Sequence, residues 1–169
     1  MESCLKDIVN WMSINKLKLN TEKTELLDVN SRHQAQTVFT TLAFGSDIIS
    51  PSDSVRNIGV IFDRTLSMSP HINNVCKSSF YHLRNIARIR KYLSLKSTET
   101  LAHAFITSKL DYCNSLIDRL PKYLLRKVQY VRNAEARIIT CSRKYDHVTP
   151  IIMDAYWGAD TIQSSLTNL

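Results

Sequence analysis

Two segments of this 169-residue sequence place lysines, arginines and tyrosines at intervals of three and four. In the first, Lys77, Tyr81, Arg84, Arg88 and Lys91 fall within an arc of about 80° if the chain is helical there. In the second, Lys122, Arg126, Tyr130, Asn133 and Arg137 share one helical face. Cations set along a line neutralise phosphates and release counterions, and an interleaved tyrosine can stack on a base or pack on a sugar. Such a face also suits an acidic protein, a membrane surface or plain solvent. The stretch "NKLKLNTEKTELL" (15–27) raises the same question for Lys16, Lys18 and Lys23. It reads either as a solvated turn or as a place where phosphates pass.

Other chemistries find no residues. Two-metal phosphoryl transfer needs carboxylates converging on the ions, and the chain has no adjacent acidic pair. Glu22 and Glu25 lie three apart in a turn-like stretch, which reads as surface. There is no G-x-S-x-G, P-loop or G-x-G-x-x-G motif, and no Cys with an obvious His partner. "KYDH" (144–147) reads as a helix-terminating loop, and His71 and His103 as helix-surface or half-buried residues. Cys4, Cys76, Cys113 and Cys141 form no C-x-x-C pair and read as free thiols of a reducing, intracellular compartment. No metal ligands and no catalytic set follow from the residues themselves.

Charge is unevenly placed. Residues 1–76 hold 7 Lys+Arg against 8 Asp+Glu, a net of −1. Residues 77–144 hold 15 against 4, a net of +11, and residues 145–169 hold none against 3. A basic middle between near-neutral and acidic ends marks a surface that faces a polyanion or simply solubilises its helices. No apolar run approaches the roughly 20 residues of a membrane span, so no membrane partner is expected. The N-terminus has no secretory-signal pattern.

The elements that must position these residues come in two groups. Leu5, Ile8, Val9 and Met12 predict a helix over 3–15. Strands are predicted over 24–29, 37–44, 47–50 and 54–62, with "SRHQAQ" between the first two as a loop. From Pro70 the period becomes helical. Helix 71–92 places Ile72, Val75, Cys76, Leu83, Ile86 and Ala87 on its apolar side. Helix 97–117 is expected to turn Leu101, Ala104, Phe105 and Tyr112 inward, with Glu99 suiting its N-terminal dipole. Pro121 suits the first position of a helix over 121–142 that buries Leu124, Val128, Val131, Ile138 and Ile139. Glu135 projects onto that apolar side, where it must be paired with a base or lie at an exposed edge. The expected class is α+β: a small antiparallel sheet with one helix, then a bundle of about three helices.

Read together, these segments resemble the C-terminal part of reverse transcriptases encoded by non-LTR retrotransposons of the LINE type. "IVNWMSINKLKLNTEKTELL" resembles the helix, turn and strand after the catalytic motif of the palm, and "SDSVRNIGVIFD" the hairpin that grips the primer. "HINNVCKSSFYHLRNIARIRKYLS", "LAHAFITSKLDYCNSL" and "LPKYLLRKVQYVRNAEARIIT" resemble thumb helices. The resemblance spans about residues 4–150. It implies a partial palm over 1–65 with a primer-grip-like Ile58, Gly59 and Val60, a helical thumb over 66–145 and a divergent tail over 146–169. It implies an RNA–DNA or DNA template–primer as partner, and places Lys23 near the incoming nucleotide, where an ammonium can stabilise departing pyrophosphate. Magnesium serves the intact family enzyme. The family's metal-binding aspartates precede such a helix, whereas this chain begins at Met1, and Glu135 stands where a small residue is expected. The resemblance therefore implies a decayed or truncated copy, or a fragment, that retains template–primer binding elements, lacks the catalytic aspartates and, in isolation, does not polymerise. The alternative reading is a non-catalytic basic helical module that binds an acidic protein partner.

Overall fold

The computed structural model describes residues 2–31, 41–44, 47–112, 120–143 and 146. The fold is α+β. The chain divides into two compact units, Met1–Pro70 and His71–Leu169.

The first unit opens with α1 (Glu2–Ile14). The helix stops at Lys16, whose φ of 56° is left-handed. Its N–H donates to the Ser13 carbonyl at 3.0 Å, and the Leu17 N–H to Met12 at 2.8 Å. This paired closure is the usual end of a helix, with lysine where glycine is commonest. A single 3-10 turn, Thr21–Lys23, follows. Asn20 shapes it: its side-chain oxygen accepts from the Lys23 N–H at 3.2 Å, and its carbonyl from the Thr24 hydroxyl at 2.8 Å.

Strand pairing among the described residues is more fragmented than the sequence implies. The stretch 24–29 yields only β1 (Leu26–Leu27), and of 37–44 only β2 (Leu42–Phe44) lies within the described residues. β2 pairs antiparallel with β3 (Asp47–Ile49), while β1 pairs parallel with β4 (Pro51–Ser52). The expected strand 54–62 is itself a hairpin, β5 (Ser54–Asn57) against β6 (Val60–Asp63). Alternation alone could not show the reversal, because Ile58 hides the turn inside an apolar run. Arg64 ties distant stretches of this unit. Its guanidinium lies 3.3 Å from Asp28 and 3.5 Å from Asp53, and its carbonyl accepts from the Asn30 N–H at 2.9 Å. Asp63 organises the next turn. Partial burial pushes its carboxyl up, but hydrogen bonds from Thr65, Ser67 and Met68 outweigh this and hold it below the usual value.

The second unit is an up-down-up arrangement of helices. α2 spans Ser69–Ile89 and runs into a 3-10 turn, Arg90–Tyr92. The Ser94 hydroxyl then caps α3 (Leu95–Ala102), accepting from the Ser97 N–H at 3.1 Å. A serine cap three residues ahead of the expected start explains the earlier boundary. A π-helical turn, His103–Thr107, leads into α4 (Ser108–Asp111). The rest of the expected helix 97–117 lies outside the described residues. α5 (Lys122–Thr140) begins after Pro121, which sits at the cap position and not inside the helix. Bonds between helices set their direction. Ser78 and His82 of α2 meet Lys109, and Thr107 and Asp111 meet Glu135 and Arg132 of α5.

The core is Ile72, Cys76, Leu83 and Ile86 from α2, Ala102, Ile106 and Leu110 from the middle segment, and Leu124, Val128, Val131 and Ile139 from α5. Ala87, expected inside, is exposed. The middle segment corrects the expected face more strongly. Thr98, Ala102, Ile106 and Leu110 are buried, while Ala104, Phe105 and Tyr112 face outward and Leu101 is half-buried. Steps of four drift by about 40° per step in a regular α-helix. The π turn, where the Ser108 N–H reaches back to the His103 carbonyl, takes up that drift. Thr98 can be buried because its hydroxyl donates to the Ser94 carbonyl at 2.9 Å.

Arg90 closes the unit. Its Nε donates to the Ile138 carbonyl at 3.0 Å, one terminal nitrogen to Ile139 at 2.9 Å and the other to Leu93 at 2.9 Å. Replacing it with alanine strands two carbonyls at the end of α5 and removes a cation from its negative pole. Arg90→Ala should lower unfolding stability by about 2–4 kcal/mol in urea denaturation, with Arg90→Lys recovering only part, because an ammonium cannot span three acceptors in a plane.

Candidate nucleic-acid interface

The stripe on α2 is present as a surface. Lys77, Tyr81, Arg84 and Arg88 are all exposed. Lys91 is exposed too, but it lies past the end of α2 in the 3-10 turn, with its ammonium 4.8 Å from the centre of the Tyr92 ring. On α5, Lys122, Arg126 and Tyr130 are exposed. Arg137 is not the solvent-facing residue its helical phase implies: it is half-buried, and its Nε is buried without a hydrogen-bond partner among the described residues. Asn133 is likewise half-buried and accepts from Gln129 at 2.8 Å.

Hydrogen bonds and ion pairs sort the cations into two kinds. Lys109 donates to Ser78, Lys127 to Asn73 at 2.6 Å, Arg132 pairs with Asp111 at 3.1 Å, and Arg90 caps α5. These join helices to one another. The side chains of Lys77, Arg84, Arg88, Lys122 and Arg126 make no hydrogen bond or ion pair within the described residues. Their charge is therefore available to an outside ligand.

Glu135 is 1% exposed, so no open helix edge accommodates it. The Thr107 hydroxyl donates to its Oε1 at 2.9 Å. The π turn that carries Thr107 thus serves a polar group in the core as well as the register of its own helix. Sequence pattern flagged Glu135 as anomalous but could not name Thr107, because the pairing joins two helices across the bundle.

The lysines of the opening stretch are exposed. Lys16 carries the left-handed end of α1 and Lys23 closes the 3-10 turn. Of the primer-grip-like Ile58, Gly59 and Val60, the first two form a two-residue turn: Asn57 pairs with Val60, the first residue of β6, and Ile58 and Gly59 have φ of 46° and 83°. Both values are positive, the mark of the tight turn preferred in hairpins. Gly59 is thus required by a reversal, not by a bulge within a strand. Ile58 is the unusual member: a β-branched residue in the left-handed region is strained, and its side chain is 79% exposed. Val60 is buried. Ile58→Asn should raise the stability of the chain by about 1 kcal/mol, measured by urea denaturation, since asparagine tolerates that φ.

A feature the sequence did not flag lies beside the α2 stripe. His82 stacks on Phe105 with ring centres 5.1 Å apart and planes 18° apart, and Tyr81 meets His82 edge-on at 5.5 Å. The Lys109 ammonium sits 3.0 Å from His82 Nε2 and 2.8 Å from Ser78 Oγ. Only a shift of helical phase brings Phe105 outward to meet His82, which is why spacing alone missed it. Burial, and then the neighbouring Lys109 charge, lower the pKa of His82. The folded value lies below the unfolded one near 6.5, so the stability linked to neutral His82 is complete above about pH 6.5 and declines as pH falls through that value. The urea midpoint should drop between pH 7.5 and pH 5, and His82→Gln should show a smaller drop.

Cys76 packs in the core, and burial raises the pKa of its thiol against a smaller opposing effect of Lys127. Cys4, Cys76 and Cys141 are free, and Cys113 lies outside the described residues. His71, expected at or near the surface, is buried. Among the described residues no group of three His, Cys, Asp or Glu side chains is placed to hold a metal. No helix among them is long and apolar enough to cross a membrane. Comparison with protein-family models, curated proteins and solved structures finds no match.

Proposed function

We propose that this chain binds the sugar–phosphate backbone of a nucleic acid through the exposed cations of α2 and α5, as a partial palm and thumb of a non-LTR retrotransposon reverse transcriptase. The observation that carries the reading is the sorting of cations. Lys77, Arg84 and Arg88 on α2 and Lys122 and Arg126 on α5 are left without internal partners, while other bases of the same unit join its helices. Exposed cations with no internal partner set the long-range field and the salt dependence of polyanion binding. The motifs resembling palm and thumb elements support a template–primer as the natural ligand, with Lys23 as the residue nearest an incoming nucleotide. Ile58 and Gly59 form the tight turn of a hairpin and Val60 opens its second strand, which is compatible with a primer-grip reading.

The test is a salt titration of binding to an RNA–DNA hybrid. Arg84→Glu with Arg88→Glu and Arg126→Glu should weaken binding and flatten the log–log salt slope by roughly 0.7–0.9 per lost phosphate contact. Sequence preference should hardly change, because phosphates carry no base information. Lys16→Glu with Lys18→Glu should do much less. Equal loss from both sets, or displacement of the hybrid by an acidic peptide at comparable concentration, would overturn the reading in favour of a general charge effect or a protein partner. In primer extension with magnesium or manganese, the pure chain should give no template-dependent incorporation.

A further inference from the structure

We propose that Tyr81, His82 and Phe105 form a stacking site for an unpaired nucleobase, so that the ligand of this face is single-stranded nucleic acid or a frayed end. The proposal rests on the backbone-binding reading above and names the part of the ligand which that reading leaves open.

Aromatic rings are the side chains that gain most from burial, yet no Phe, Tyr or Trp stands among the buried core residues described. The core is built from Ile, Leu, Val, Ala and Cys. Tyr81 is 57% exposed and Phe105 43% exposed, in contact through His82. Their arrangement is held from behind. The Lys109 ammonium bonds both Ser78 and His82, joining α4 to α2. A neutral imidazole accepting from that ammonium fixes the ring that both outer aromatics touch. The platform is thus formed before any ligand arrives, which limits the ordering cost of binding.

Charge completes the site. Lys77 lies one turn before Tyr81 and Arg84 one turn after it, with Arg88 a further turn on. From Lys77 to Arg88 the stripe spans roughly 16 Å at 1.5 Å per residue. That length matches a few nucleotides of one strand. A paired base inside a duplex has both faces covered by its neighbours, whereas an unpaired base offers a face to a ring.

The experiment uses fluorescence anisotropy with the full chain and three labelled probes: a single-stranded 12-mer, the same strand with abasic sites throughout, and the corresponding duplex. The single strand should bind about tenfold or more tightly than the abasic strand, since each stacked base contributes a factor of that order. Tyr81→Ala with Phe105→Ala should erase the difference while leaving the salt slope intact. Tyr81→Ala alone, at an exposed position, should reduce it partly, and Tyr81→Phe should preserve it. Equal binding of intact and abasic strands, or an unchanged ratio in Tyr81→Ala, overturns the stacking site. Those outcomes leave the backbone reading standing if Arg84→Glu with Arg88→Glu still weakens all three probes. If that pair weakens none, the backbone reading falls as well.

Discussion

The second unit depends on how the end of α5 is satisfied. A helix leaves its last carbonyls without partners, and inside a bundle water cannot reach all of them. Here one guanidinium serves two of them and a third carbonyl at the end of its own turn. The left-handed Cys141 closes the helix beside it, with the Cys141 and Ser142 N–H groups both donating to Arg137. Because the guanidinium is planar and its donors are fixed, Arg90 sets both the axial position and the rotation of α5 against α2. The exposed faces of the two helices are presented in the orientation that this cap dictates.

A formal charge of +11 over residues 77–144 is not itself a binding surface. Part of it is internal mortar. Lys109, Lys127 and Arg132 each reach across to a neighbouring helix, to a serine and histidine, an asparagine and an aspartate. What remains outward is a smaller set, and it is the set that carries any function. Buried or bridging bases lose their reach because their charge is engaged, whereas exposed ones keep theirs to about a Debye length.

Much of the helical unit was legible in the sequence, because apolar residues at helical spacing leave few alternatives. The faces of α2 and α5 follow the period closely: Ile72, Cys76, Leu83 and Ile86 lie in the core, as do Leu124, Val128, Val131 and Ile139. The middle segment was not legible. Its buried positions include Thr98, whose polarity hid it, and the π turn shifted the phase that would have revealed Ile106 and Leu110. The strands of the first unit were legible as extended segments but not as partners. Ladders two to four residues long are decided by long-range ties such as Arg64 to Asp28, which no local pattern contains. The basic stripes were visible; the aromatic ledge beside one of them was not, since it needs residues 23 apart in sequence to meet.

The π turn also governs how this protein tolerates changes of length. Each residue of an α-helix advances the next by 100°. The wider π turn holds one residue more than α geometry needs, and so keeps Leu110 in the core, Lys109 on Ser78 and His82, and Asp111 on Arg132. Deleting one residue between His103 and Thr107 would let the turn close to a regular α-helix with those contacts still in phase, whereas inserting one would rotate everything after it by about 100°. The segment should therefore accept the loss of a residue more readily than the gain of one, and comparing the two variants would show the asymmetry directly.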